Sequence, residues 1–270
     1  MRDFTYTRPK TLADAVDAFK SAGDGRYLAG GQTIIPVMKQ RLAQPSDVID
    51  LAQVPELKGI AVKSGVVSIG GMTTHAEVAA SKDVRAAIPA LARLAGGIGD
   101  PQVRNRGTIG GSIANNDPGA DYPAAVLGLE ATIVTDRRRI AADDFFKGLF
   151  ETALEEGELV VRVDFPAPGA ASYQKFLNPA SRFAIVGVFV ARAKSGVRVA
   201  VTGAGPCVFR ATAIEQALTR SFAADAVKRL DIDAANLNSD VHASAEYRAH
   251  LIGVMAARAV TEATQGGQGR

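Results

Sequence analysis

Two short segments built on paired glycines constrain this chain more than anything else in it. The first, Ala29-Gly30-Gly31-Gln32-Thr33, follows a strand-like segment, Tyr27-Leu28-Ala29, and precedes a helical turn predicted around Ile34 to Arg41. The second, Arg106-Gly107-Thr108-Ile109-Gly110-Gly111-Ser112, sets hydroxyl residues on either side of its glycine pair. Without a β-carbon the backbone can approach a ligand closely, and successive N–H groups in such a turn attract anions. Two such loops suit a pyrophosphate, which has two charged groups to hold. The chain carries 27 glycines, so pairs also arise as plain tight turns. From these residues alone both readings stand.

Other chemistries find little support. Gly97 and Gly99 have the spacing of a dinucleotide fingerprint, but Gln102 stands where its third glycine belongs. No G-x-x-x-x-G-K-[S/T] loop occurs. His75, His242 and His250 lack metal-ligand spacing, and Ser112 is not in a nucleophile elbow. The single cysteine, Cys207, excludes a disulfide framework, a four-cysteine iron–sulfur site and a cysteine-rich zinc site, and fits a reducing compartment. Lys and Arg number 31 against 28 Asp and Glu, a net charge of +3 with a pI of about 9.0. So small a surplus argues weakly for nucleic acid, whose binding needs clustered cations. The segment Met1 to Tyr6 has no apolar core of a signal peptide. The longest apolar run, Phe183 to Ala191, is far short of the ~20 residues of a membrane span. The expected location is cytoplasmic.

The periodicities predict an α+β chain. Leu12, Ala15, Val16 and Phe19 have helical spacing behind Thr11 and Asp14, with Gly23 at the position of a left-handed helix end. A strand is predicted over Asp47 to Leu51, and a hairpin over 59–70 turning at Ser64-Gly65. Thr74 with Glu77 marks a helix start. Helices are predicted over Pro89 to Ala95 and Tyr122 to Gly128, and strands over Ala131 to Thr135 and Glu158 to Phe165. Pro166-Ala167-Pro168-Gly169 marks a boundary. Beyond it come a hairpin, Ala184 to Ala193 and Val197 to Thr202 around Ser195-Gly196, and helical stretches near 211–219, 222–230 and 243–264. In the last, Tyr247, Leu251, Val254 and Met255 share one face.

At the two glycine loops the chain resembles a known family. Residues 29–43, AGGQTIIPVMKQRLA, and 99–124, GDPQVRNRGTIGGSIANNDPGADYPA, are similar to the flavin loops of the FAD-binding medium subunits of molybdenum hydroxylases. These are the flavoprotein subunits of the aerobic carbon monoxide dehydrogenase and xanthine dehydrogenase family. Tyr173-Gln174-Lys175-Phe176, Ser181-Arg182-Phe183 and Ser244 to Arg248 resemble segments of the family's C-terminal domain. The resemblance extends over the whole chain. It implies a two-subdomain FAD-binding domain of the vanillyl-alcohol-oxidase type over 1–170, split near 55–60, then a smaller sheet-plus-helices domain over 171–270. It also implies non-covalent FAD, because Gln32 cannot serve as the histidine or cysteine that attaches flavin in some relatives. A lone cysteine excludes the extra iron–sulfur cluster of others.

By position, the resemblance puts Ala29, Gly30, Gly31, Gln32, Thr33 and Ile34 on one side of the FAD pyrophosphate, and Thr108, Ile109, Gly110, Gly111 and Ser112 on the other, Gly110 and Gly111 closest to phosphate. Asp121 matches an acid that hydrogen-bonds FAD, Ile98 and Val160 match apolar neighbours of its rings, and Lys175 matches a lysine near the flavin. Read locally, Asp121 is equally a helix cap, Lys175 a solvated strand lysine, Ile98 and Val160 core, Arg104 and Arg106 surface charge, His75 structural, and Cys207 buried and inert. The function implied is electron transfer from iron–sulfur clusters of a small partner subunit, fed by a large molybdenum-cofactor subunit, in a dimer of heterotrimers. Two rivals stand: a self-contained FAD-dependent reductase on the same fold, and a non-enzymatic module binding nucleic acid or another anion.

Overall fold

A small parallel sheet comes first. In the computed structural model of the protein, which describes residues 1–228 and 230–266, β1 (Thr5–Thr7), α1 (Leu12–Ser21), β2 (Gly25–Leu28), α2 (Ile34–Lys39) and β3 (Asp47–Asp50) build a sheet ordered β1-β3-β2. Thr11 caps α1 by accepting from the Asp14 N–H at 3.1 Å. The helix does not end in a left-handed glycine: it leaves through extended Ala22, at φ −79°. Phe19 stacks on Tyr27 at 4.9 Å, tying α1 to β2. Those two strands and α2 position the first glycine loop between them.

Next come β4 (Ile60–Lys63), β5 (Val66–Gly70), α3 (His75–Ala80), α4 (Lys82–Ala87), α5 (Pro89–Gly96), α6 (Pro101–Arg104), α7 (Ile109–Asn115), α8 (Tyr122–Gly128), β6 (Thr132–Thr135), β7 (Arg139–Ala141), α9 (Ala142–Phe145), β8 (Phe146–Gly148), β9 (Glu151–Thr152) and β10 (Val160–Pro166). Five of these strands form an antiparallel sheet ordered β4-β5-β10-β6-β7. The Ser64-Gly65 turn forms as predicted, both residues at positive φ. Thr74 and Glu77 make a reciprocal capping box on α3. The predicted helix at Tyr122 spans the predicted residues. Helix α7 was not anticipated, since two glycines in seven residues argue against a helix. It forms because Gly110 packs directly on Gly71, where a β-carbon would lie 2.7 Å from the Gly71 carbonyl oxygen.

The remainder is a second antiparallel sheet, β11 (Ala170–Leu177), β12 (Ala184–Ala193), β13 (Gly196–Thr202) and β14 (Phe209–Arg210), with α10 (Thr212–Arg220) and α11 (Ala245–Gly266). Strand β12 is buried on both faces, which explains its unbroken apolar run. Phe189 and Ala191 join the core of the preceding unit, while Val186, Val188 and Val190 pack toward α11 with Leu251, Met255 and Ala259. Tyr247 lies largely exposed instead, edge-on to Phe176. The helix predicted over 222–230 is a single tight turn, Ala224–Ala226. Phe222, Val227 and Leu230 dock there as separate apolar contacts rather than along one helical face; Arg229 lies outside the described residues. Among the described residues no helix is long and apolar enough to cross a membrane.

Candidate cofactor cleft

The two glycine loops, separated in sequence by residues 34–105, meet in space. A β-carbon on Gly30 would sit on the carbonyl oxygen of Arg106, 2.8 Å from Cα of Gly107. Gly31 adopts the left-handed conformation, φ +75°. Between and beside the loops opens a cleft of about 670 Å³, within the size range of ligand and cofactor sites. Ala29, Gly30, Gly31, Gln32, Thr33, Ile34, Ile98, Thr108, Gly110, Gly111, Ser112, Asp121 and Val160 all line it. Leu57, Met72 and Leu159 give it apolar walls.

The loops resemble each other in sequence but differ in what they offer. Among the described residues, no acceptor meets the backbone N–H of Gly30, Gly31, Gln32, Thr33 or Ile34. Five consecutive free donors form a cradle for an anion. In the second loop the donors are taken: Ile109 N–H donates to Thr73 O, Gly110 to Gly71 O, Gly111 to Thr108 Oγ1 and Ser112 to Thr108 O. Thr108 is therefore the N-cap of α7, and Gly110 is a packing glycine before it is anything else. Ser112 lines the cleft, and among the described residues its hydroxyl has no partner. The observations fit a group such as FAD: one loop supplies amide donors, both exclude β-carbons from the junction, and apolar walls flank them.

Two candidates do not line the cleft. Ile109, the first residue of α7, is fully buried in the core. Lys175, on β11, is neither solvated nor in the cleft wall. Its ammonium donates to Gly97 O at 2.9 Å, Arg182 O at 3.1 Å and the Asp121 carboxylate, whose nearest oxygen is 3.0 Å away. Asp121 does line the cleft, and its carboxylate makes no helix-cap bond. It accepts from Tyr173 Oη at 2.5 Å and from Lys175. Burial pushes its pKa up, and Lys175 and Tyr173 pull against that; the same burial, with Asp121 beside it, raises the Tyr173 phenol. Nothing local in an alternating strand marks Tyr173 as the partner of an aspartate 52 residues earlier.

Other side chains also depart from their local readings. Arg104 is structural, its guanidinium donating to Ile98 O and Gly99 O at 2.9 and 3.0 Å, whereas Arg106 is exposed. Cys207 is half-buried, and burial pushes its thiol up. His75, 5% exposed, lines the cleft. Burial first, and Arg104 second, lower its pKa to about 4. Ser181, Arg182 and Phe183, from the β11–β12 turn, reach the cleft from the C-terminal unit, with Phe183 half exposed.

Comparisons with known proteins agree with this geometry. A family model described as the FAD binding domain in molybdopterin dehydrogenase matches residues 2–168, and one described as the CO dehydrogenase flavoprotein C-terminal domain matches 171–263. The chain is 37% identical to the carbon monoxide dehydrogenase medium chain of Hydrogenophaga pseudoflava, with 96% of each chain covered. It is 35% identical to the nicotine 6-hydroxylase medium subunit of Paenarthrobacter nicotinovorans, again over 96% of each. The solved carbon monoxide dehydrogenase from H. pseudoflava that lacks the Mo-pyranopterin moiety superposes with a TM-score of 0.89 at 38% identity, covering 98% of both chains. A glycine-built cleft with free amides, matched over nearly its full length by flavoprotein subunits, makes this chain a member of the FAD-binding medium-subunit family of molybdenum hydroxylases.

Proposed function

We propose that this chain holds non-covalent FAD in the cleft and relays electrons from the iron–sulfur clusters of a small partner subunit to an external acceptor. A large molybdenum-cofactor subunit would oxidise the substrate, in a dimer of heterotrimers located in the cytoplasm. The carrying observation is the junction of the two loops, where Gly30 rests on Arg106 and Gly107 and the five backbone amides of the cleft-lining segment Gly30 to Ile34 have no acceptor among the described residues. Ala29 to Ile34 would bind the pyrophosphate through backbone donors, and Thr108, Gly110, Gly111 and Ser112 would close the other side. Ile98 and Val160 would pack on the rings, and Asp121 would accept a hydrogen bond. Lys175 would orient Asp121 and the Arg182 backbone. Gln32 offers no nucleophile for covalent attachment. When bound, FAD supplies the redox chemistry, the protein its position and electrostatics. The FAD-binding domain is assigned to 1–170, with subdomains meeting near 55–60, and the C-terminal domain to 171–270.

The relatives are named for oxidations of different substrates, carbon monoxide and nicotine; substrate choice accordingly belongs to another subunit. The test is direct. The purified chain should bind FAD and release it intact on denaturation; FMN alone, or flavin left on the polypeptide, would contradict the assignment. Assembled with the large and small subunits, its flavin should bleach on addition of substrate, while the isolated chain should turn over no aldehyde, heterocycle or carbon monoxide. Turnover by the isolated chain without metal or cluster would favour the self-contained reductase.

A further inference from the structure

His75 stands under the junction of the two loops, held there by backbone. The capping box of Thr74 and Glu77 fixes it as the first residue of α3. Its N–H donates to Gly107 O at 2.9 Å, and Thr74 bridges Thr108. The imidazole fills the space that a β-carbon on Gly107 would need, with Nε2 only 2.5 Å from that point. Yet neither ring nitrogen has a hydrogen-bond partner among the described residues. Nδ1 is sealed from solvent, and the ring lines the cleft. Beside it, the Tyr122 hydroxyl is likewise sealed and unpartnered, the ring centroids 5.3 Å apart. Two orphaned polar groups side by side cost the chain stability, because buried polar atoms without partners keep their full desolvation penalty. A phenylalanine would fill the same space without that penalty. An imidazole here therefore points to a ligand.

Resting on the FAD assignment above, we propose that His75 is a binding residue for the dinucleotide: Nε2 hydrogen-bonds a polar atom of the bound cofactor next to the Gly107 junction, while one buried water bridges Nδ1 and the Tyr122 hydroxyl. The neutral ring offers one donor and one acceptor, and the Tyr122 partner selects which nitrogen carries the proton.

The test compares wild type with His75→Phe and His75→Gln by titrating apo-protein with FAD. His75→Phe should bind FAD about tenfold to a hundredfold more weakly, the loss of one buried hydrogen bond and its orphaned partner, while the apo-protein melts no lower than wild type. His75→Gln, which restores a donor and an acceptor, should recover part of the affinity. The chain has three histidines, so imidazole ¹⁵N signals are few. On adding FAD to wild type, one ring should change its Nδ1 and Nε2 shifts, and that ring should vanish from the His75→Phe spectrum. Equal FAD affinity in wild type and His75→Phe would overturn the proposal. So would unchanged imidazole shifts in wild type, a measurement that survives even if the variant misfolds. Failure of wild type to bind FAD at all would overturn the cleft assignment itself, and with it this proposal.

Discussion

Gly30 is the position where a single atom decides the site. Its missing β-carbon lets the first loop rest on the Arg106 carbonyl and on Gly107, and the obstruction is backbone, which cannot rotate away. Gly30→Ala should therefore pry the loops apart at a cost of about 1–3 kcal/mol of overpacking. That strain falls on the cleft rather than the core, so FAD affinity should drop by about ten- to a hundredfold with far-UV circular dichroism unchanged. Unaltered FAD titration in the variant would mean that the loops are ordinary turns. Gly110 is not an equivalent probe. A side chain there meets Gly71, and Gly71 O already accepts the Gly110 N–H, so substitution attacks the fold directly. The two glycine pairs look interchangeable on paper; one leaves its amides without acceptors among the described residues, the other packs against Gly71.

Between elements, the β6–β7 hairpin and the start of β10 are joined at Glu158, which also lines the cleft. Arg138 grips its carboxylate with Nε at 2.9 Å and Nη2 at 2.8 Å, and Thr135 Oγ1 and the Glu155 N–H add bonds of 2.7 and 2.8 Å. The Arg138 bonds are the main cause of a pKa lowered from 4.5 to about 2, against the opposing effect of burial. A carboxylate whose pKa falls on folding adds stability above its unfolded value, and that stability drains as pH drops through the folded one. Between pH 4.5 and 2, wild type should lose resistance to urea more steeply than Glu158→Gln, measured as the unfolding midpoint against pH. Parallel profiles would show that the contact contributes nothing. The strand predicted from Glu158 begins instead at Val160, because Glu158 spends its side chain and N–H on the turn.

At the scale of the whole molecule, the two units share side chains too intimately to melt apart. Phe189, Ala191, Ala200 and Val208 lie in the same core as Leu91, Tyr122 and Phe165. Arg198, almost fully buried on β13, donates to Leu127 O at 3.0 Å and pairs with Glu130 and Asp143. Lys175 makes the corresponding link at the cleft. Calorimetry of the full chain should show one cooperative transition. Arg198 is buried but Glu130 and Asp143 reach solvent, so its removal costs about 1–3 kcal/mol for the lost charge-assisted hydrogen bonds, and Arg198→Leu should lower Tm by about 5 °C, at ~2–4 °C per kcal/mol for a chain this size. Two separate transitions in wild type would show that the units fold independently.

Local rules carried far along this chain. Capping at Thr74, the Ser64-Gly65 turn, the hairpin at Gly196 and the helix from Tyr122 follow from side chains within a few residues of one another, where period and backbone preference act directly. The glycine loops were equally legible, since absence of a β-carbon is a property of the residue itself. Partnership at a distance was not. That Gly30 touches Arg106, that Asp121 takes Tyr173 rather than its own helix, that Lys175 is buried, and that His75 lies unpaired beneath Gly107 all depend on which surfaces meet when the sheets pack. Hydrogen bonding and desolvation are set by neighbours in space, and a residue's neighbours in sequence do not name them.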